Sequence, residues 1–140
     1  MNAARRPGLR VIVAGTRTVD DEAVVAEAIE ASGFQIAELV NGGQRSWNPS
    51  SRLPYGADYL AARWAQARCI PVTYFRADWN RLGRAAGPIR NGQMARYGQA
   101  LVAIWDGKSA GTRNMIEQAR EHGLPTYVHM VLQRTTDHWK

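Results

Sequence analysis

The chain has 140 residues, of which 45% are hydrophobic, and carries 18 Lys or Arg against 12 Asp or Glu, a formal charge of +6. That length suits one domain, 1–140, able to bury a core of its own, and the composition excludes a disordered chain. The one cysteine, Cys69, excludes an internal disulfide framework, fits a reducing compartment, and in its apolar company reads as a buried, inert thiol. The basic excess suits anionic partners, although it is spread along the chain, with the densest groups at Arg5-Arg6 and Arg76 to Arg96.

Taken in order, Leu9–Ala14 is a short β-branched run that reads as a buried strand. It is too short for a signal peptide or a membrane span, so a cytoplasmic protein without membrane contact is expected. Asp20 or Asp21 caps a helix that runs to about Ser32 and stops at Gly33. Ile36–Val40 is a second strand, ending at Asn41-Gly42-Gly43. Gln44–Pro54 is polar, aperiodic and carries two prolines, which predicts a loop. A helix follows through Arg68, with Asp58 as its cap. Ile70–Phe75 reads as a strand, Arg76–Gly87 as irregular, and Pro88–Tyr97 as a helix with proline in its first turn. Ala100–Trp105 is a strand, Thr112–Glu121 a helix closed by Gly123, and Pro125–Met130 a last strand. Residues 1–8 and 133–140 are expected to be peripheral ends. Strand and helix alternate throughout, so the fold is expected to be an α/β Rossmann-like three-layer α/β/α sandwich with a mainly parallel five-stranded sheet.

Ligands in such folds bind beyond the carboxyl ends of the strands. The loops at those ends are Gly15–Thr18, Asn41–Gly56, Arg76–Pro88 and Asp106–Gly111, with Arg17, Arg84, Arg90 and Lys108 on or near them. The last is the most pointed. An apolar strand stops at Asp106-Gly107, a small-residue loop Lys108-Ser109-Ala110-Gly111 follows, and a helix begins near Thr112. Backbone N–H groups at a helix start lack intrahelical partners and, with the helix dipole, attract an anion. His122, His129 and His138 are scattered and, with Cys69, show no metal-ligand spacing, so neither a metal nor a cofactor is expected.

Together the segments VIVAGTRT (Val11–Thr18), GADYLAARWA (Gly56–Ala65), FRADW (Phe75–Trp79), AGPIRNGQM (Ala86–Met94) and LVAIWDGKSAGTRNMI (Leu101–Ile116) resemble the SLOG superfamily of Rossmann-like nucleotide-binding domains, and within it the YspA-like branch of small bacterial and phage proteins. The glycine turn of that pattern runs almost directly from Gly42-Gly43 into Gly56-Ala57-Asp58; here residues 44–55 stand between them as an insertion. The resemblance implies a homo-oligomer and three classes of function: binding of nucleotides related to NAD or ADP-ribose, hydrolysis of the N-glycosidic bond of nucleoside monophosphates in LOG-type enzymes, and binding of single-stranded DNA in DprA-type proteins.

For the first class, Gly107, Lys108, Ser109, Gly111 and Thr112 would hold a phosphate. Gly15, Thr16 and Arg17 would hold a second phosphate or a ribose, with Gly42 and Gly43 beside them. Arg90 would fork onto phosphate, Asn91 would pair with a base or ribose, Trp79 would stack on a base, and Asp58, besides capping, would take ribose. For hydrolysis, LOG-type enzymes keep a glutamate three residues after the threonine of PGGxGT; here Met115 stands at that distance from Thr112. Glu117 lies two residues further, about 200° round the helix. Asp106, Arg90 and Glu117 are the remaining catalytic candidates. The DNA class rests on the net charge and the glycine turns. The expected partner is therefore a small nucleotide, sensed or sequestered, with cleavage or nucleic-acid binding as the alternatives.

Overall fold

The computed structural model describes residues 8–132. Seven strands and five helices occur among them, and five of the strands form one parallel sheet in the order β5-β2-β1-β6-β7. These five are β1 (Leu9–Gly15), β2 (Ile36–Asn41), β5 (Val72–Tyr74), β6 (Ala100–Trp105) and β7 (Thr126–Met130). β1 is central, pairing with β2 through Val11↔Leu39 and Ile12↔Val40, and with β6 through Ile12↔Leu101 to Gly15↔Ile104.

Alternation along β1 divides the core in two. Val11 and Val13 point to one face, under α1 (Glu22–Ser32) and α2 (Ala57–Ala67), where Val25, Ile29, Leu60 and Trp64 cover them. Ile12 and Ala14 point to the other, packed with Met94 and Ala95 from α4 (Ala86–Tyr97) and Met115, Ile116 and Ala119 from α5 (Ala110–Glu121). The result is the expected three-layer sandwich. Both faces of the sheet are covered, which is why Val11–Ala14 of β1 and the whole of β6 read as unbroken apolar runs rather than alternating ones.

The helix ends follow local chemistry. Asp21 caps α1, its side chain accepting from the Ala23 N–H at 2.9 Å. Gly33, at φ 74°, closes it by donating to Glu30 O. Asp58 does not cap α2. The N-cap is Gly56 at φ 112°, a value that favours glycine, and Asp58 sits within the first turn with its carboxylate free for other partners.

Several further expectations are corrected. Within Gln44–Pro54 and its neighbour Tyr55, a small antiparallel hairpin forms, β3 (Ser46–Trp47) with β4 (Pro54–Tyr55). The turn between them is held by Asn48, whose side chain accepts from the Ser50 and Ser51 N–H groups. Two-residue strands carry no detectable period. Within Arg76–Gly87, Asp78 caps a short helix, α3 (Trp79–Leu82), that runs into a 3₁₀ turn, Gly83–Ala85. Cys69 is exposed, not buried: it sits at φ 58° in the tight turn after α2, its N–H donating to Gln66 O. The strand expected over Ile70–Phe75 shortens to three residues, and α5 begins two residues before Thr112. Among the described residues no helix is long and apolar enough to cross a membrane.

Candidate functional site

The strand order reverses between β1 and β6, since β2 and β5 lie on one side of β1 and β6 and β7 on the other. At such a switch point the loops that follow the two strands diverge and leave a crevice at their carboxyl ends. A cavity of about 340 Å³ lies there, lined by Gly15 and Arg17 after β1, Asp58 from α2 and Trp79 from α3. Arg90 and Asn91 from α4 and Ser109, Gly111, Thr112 and Met115 around the start of α5 line the rest of it.

The first turn of α5 is open. Ser109 is its N-cap, yet its side chain makes no capping hydrogen bond. The Thr112 hydroxyl donates to Ser109 Oγ at 3.3 Å, which leaves the serine proton for another acceptor. The turn's leading N–H groups thus face a cavity without a side-chain acceptor. The loop before it is shaped from within. Asp106 Oδ1 accepts from the N–H groups of Lys108 and Ser109, both at 2.8 Å, and Trp105 Nε1 donates to Ser109 O at 3.0 Å. Burial pushes the Asp106 carboxyl up, but those N–H groups outweigh it and hold its pKa below the usual value.

Arg90 is 8% exposed and its guanidinium is directed by protein atoms. Nε donates to Asn91 Oδ1 at 3.0 Å, and Nη1 lies 3.3 Å from Phe75 O and 3.4 Å from Gly42 O. Burial lowers its pKa from the ordinary value, and the charge of Asp58 works against that. A Cβ on Gly42 would collide with Arg90 Nη1, so this glycine is required by the close approach of the guanidinium. Asn41, fully buried, ties the same turn together: Oδ1 accepts from the Gly43 N–H and Nδ2 donates to Asp58 O, both at 2.9 Å.

Asp58 is the one carboxyl lining the cavity. Its Oδ2 accepts from the Gln44 N–H at 3.1 Å. Burial raises its pKa to about 6, against the Gln44 and Gly42 N–H groups and the charges of Arg90 and Arg17. A carboxyl so poised loses or takes a proton near neutral pH, according to what charge enters beside it.

The structure sorts the expected site residues. Gly15, Arg17, Asp58, Trp79, Arg90, Asn91, Ser109, Gly111 and Thr112 come together on the cavity. Thr16 does not: it is buried, its hydroxyl accepts from the Asp106 N–H at 3.2 Å, and it ties the ends of β1 and β6. Asp106 also turns away, toward a separate cavity of about 200 Å³ with Asp20 and Asp21. Gly107, at φ 83°, serves the loop turn, and Lys108 is exposed outside the cavity lining. Gly43, at φ 70°, lies in a neighbouring cleft against Arg76. Glu117 is exposed and does not line the cavity.

Asn91 lines the cavity but is occupied within the protein. Its Oδ1 accepts from Arg90, and its Nδ2 donates to Asn114 Oδ1 at 3.0 Å and approaches Gly111 O at 3.3 Å. It links Arg90 to the first turn of α5 rather than offering a base its amide. Gln44, Arg84, Asn114 and Met115 also line the cavity. Gln44 falls in an aperiodic insertion, Arg84 lies on a strand-end loop, and Asn114 sits beside Met115 within the Leu101–Ile116 segment, where nothing in the sequence distinguishes it from its neighbours.

A family model described as "YspA, cpYpsA-related SLOG family" matches residues 9–82. The chain belongs to the YspA, cpYpsA-related SLOG family. The Gene 61 protein of Mycobacterium phage D29 is 32% identical to it over 126 residues, spanning 83% of this chain and 92% of that protein. The SLOG match runs from β1 to the end of α3, so it contains Gly15, Arg17, Asp58 and Trp79, while Arg90 and the α5 turn lie beyond it. In SLOG terms, the cavity joins that matched half to α4 and α5 at the carboxyl edge of the sheet. A Rossmann-like fold of this family suggests a nucleotide-related ligand.

Proposed function

We propose that the protein binds a nucleotide carrying a phosphorylated ribose, of the ADP-ribose or NAD-related kind, and acts by sensing or sequestering it. The observation that carries this reading is the uncapped first turn of α5, open to a cavity that also holds a buried arginine and a single carboxyl. Phosphate would sit on the leading N–H groups and the Ser109 hydroxyl, within the field of Arg90 and Arg17. Asp58 would accept from a ribose hydroxyl, and Trp79, 45% exposed with its ring against Gly87, would stack on a base at the mouth.

Hydrolysis is the second reading, and one observation favours keeping it: Asp58 is a carboxyl in the cavity with a pKa near neutrality, which suits a general base. Against it, Met115 is buried and lines the cavity where LOG-type enzymes keep glutamate. We regard binding without cleavage as the better supported, and a homo-oligomer as part of the same proposal.

The test is incubation with AMP, ADP-ribose, cyclic ADP-ribose, NAD and a short single-stranded DNA, followed by thermal shift and by chromatography of the released compound. Stabilisation with the nucleotide recovered intact is the expected result. A free base in the eluate assigns hydrolysis instead. A shift with DNA alone, lost as salt rises, refutes the nucleotide reading.

A further inference from the structure

We propose that Arg17, Arg45 and Arg76 form a second anion subsite beside the cavity, and that the ligand is a small dinucleotide with one phosphate in the cavity and another on these arginines. The proposal rests on the nucleotide reading above and extends it to the size and charge spacing of the ligand. A cleft of about 290 Å³ adjoins the cavity and shares Arg17, Gln44 and Trp79 with it. Three arginines line this cleft and no carboxylate does. A third cleft, of about 420 Å³, continues past Arg45 and Arg76 to Arg63.

The charges are not matched inside the protein. Among the described residues the ion pairs of arginine are Arg63 with Glu22 and Arg81 with Asp78. Arg17, Arg45 and Arg76 have none, and Asp58, the carboxyl that lines the third cleft, is already in the fields of Arg90 and Arg17. Three like charges around one concave surface repel each other, and an anion bound there relieves all three repulsions at once. Arg76 is held at the cleft by the protein itself. Its Nη1 donates to Gly43 O at 3.1 Å, and the guanidinium lies 4.7 Å from the centre of the Tyr74 ring. Arg45 has no side-chain hydrogen bond among the described residues, and it is brought to the cleft by the loop that leads into β3. The insertion that departs from the family pattern therefore supplies one wall of the subsite.

The cavity and the cleft share one aromatic side chain, Trp79. It lines both, as Arg17 does, so a nucleoside stacked on this ring would reach the cavity and the cleft together. A surface for a long single strand would present a series of stacking rings along a basic groove. One ring flanked by two anion sites fits a ligand of two nucleotide units.

The test compares AMP with pApA, a linear diadenylate bearing a 5′-phosphate, by titration calorimetry on the intact protein. Wild type is expected to bind pApA at least about tenfold more tightly than AMP, the scale of one added charged hydrogen bond. Arg45→Ala and Arg76→Gln should each remove about that tenfold from pApA and leave AMP unchanged. Arg45→Ala removes an exposed side chain free of internal hydrogen bonds, so an unchanged melting temperature accompanies its loss of pApA affinity. Equal wild-type affinities for the two probes, or variants that weaken both alike, overturn the subsite and leave the cavity reading standing. If neither probe binds, the nucleotide reading and the subsite fall together. A long oligonucleotide that binds far more tightly than pApA, with a steep salt dependence, overturns the dinucleotide in favour of a strand.

Discussion

Gly111→Ala separates a glycine kept for the fold from one kept for a ligand. A Cβ built on Gly111 meets no atom within 4 Å, and its backbone is an ordinary helical one without positive φ. The protein alone therefore gives no steric reason for glycine at this place. Alanine removes backbone freedom from the unfolded chain and favours the helix, a gain of about 0.5 to 1 kcal/mol. For a domain of this size that raises the melting temperature by about 2 °C or slightly more. Binding should move in the opposite direction. Gly111 lines the cavity on the turn whose N–H groups would receive the phosphate, and a methyl group there holds the anion off. Loss of one charged hydrogen bond, about 1.5 to 3 kcal/mol, weakens binding by about tenfold to about 150-fold. Thermal denaturation of the free protein and calorimetric titration with AMP or ADP-ribose read the two effects separately. A variant that is more stable and binds normally removes the α5 turn from the site. One that melts lower shows that the backbone here needs glycine and that the open-space argument is wrong.

Other expectations follow from the same geometry. Asp58 carries a pKa raised from 3.8 to about 6, so the folded chain retains a proton that the unfolded chain has released between those values. Stability contributed by this group is full below about pH 4, falls as pH rises to about 6 by about 3 kcal/mol, and is level above that. Asp58→Asn should flatten that part of the urea-midpoint profile, and an unaltered profile would place the titration elsewhere. Arg90→Ala should weaken nucleotide binding by about 1 to 3 kcal/mol and also lower stability by about 1 to 3 kcal/mol, because the buried Gly42 carbonyl and the part-buried Phe75 carbonyl lose their donor. Separate measurements of melting and affinity check this, and a variant as stable as wild type would mean that those contacts contribute nothing. Trp79→Ala should weaken binding by about 1 to 3 kcal/mol if the ring stacks on a base, while Trp79→Phe retains most of the affinity; equal loss in both points to indole shape or its N–H instead of stacking.

The role of Arg90 illustrates how far sequence reasoning reaches. The motif around Ala86–Met94 marks Arg90 and Asn91 as a pair of interest, and both line the cavity. Reading them as two independent ligand groups misses that each is a partner of the other. Asn91 accepts from Arg90 and donates to Asn114 from the next helix, and a contact between the helices that precede and follow β6 in the chain leaves no mark in either segment. Asp58 is a similar case. A carboxylate near a helix start reads as a cap, but Gly56 takes that position, and the carboxylate faces Gln44 and the arginines instead.

Local chemistry was enough for the elements and their approximate ends. The β-branched runs of β1 and β6, the Asp21 cap, the Gly33 and Gly123 stops and the alternation of strand with helix all act over a few residues, and all are legible in the order of amino acids. The same alternation implies a parallel sheet, because successive parallel strands need a crossover. Strand order is different. That β6 pairs with β1 rather than with β5 depends on which apolar faces bury best together, a choice among many distant pairs. That choice makes the switch point, and the switch point brings α2, α4 and α5 around one cavity. It also separates Ser109, Gly111 and Thr112, which face the cavity, from Asp106, Gly107 and Lys108, which shape or flank the loop. The two glycines, Gly107 and Gly111, are indistinguishable by type, since what divides them is the direction in which a packed helix points its first turn.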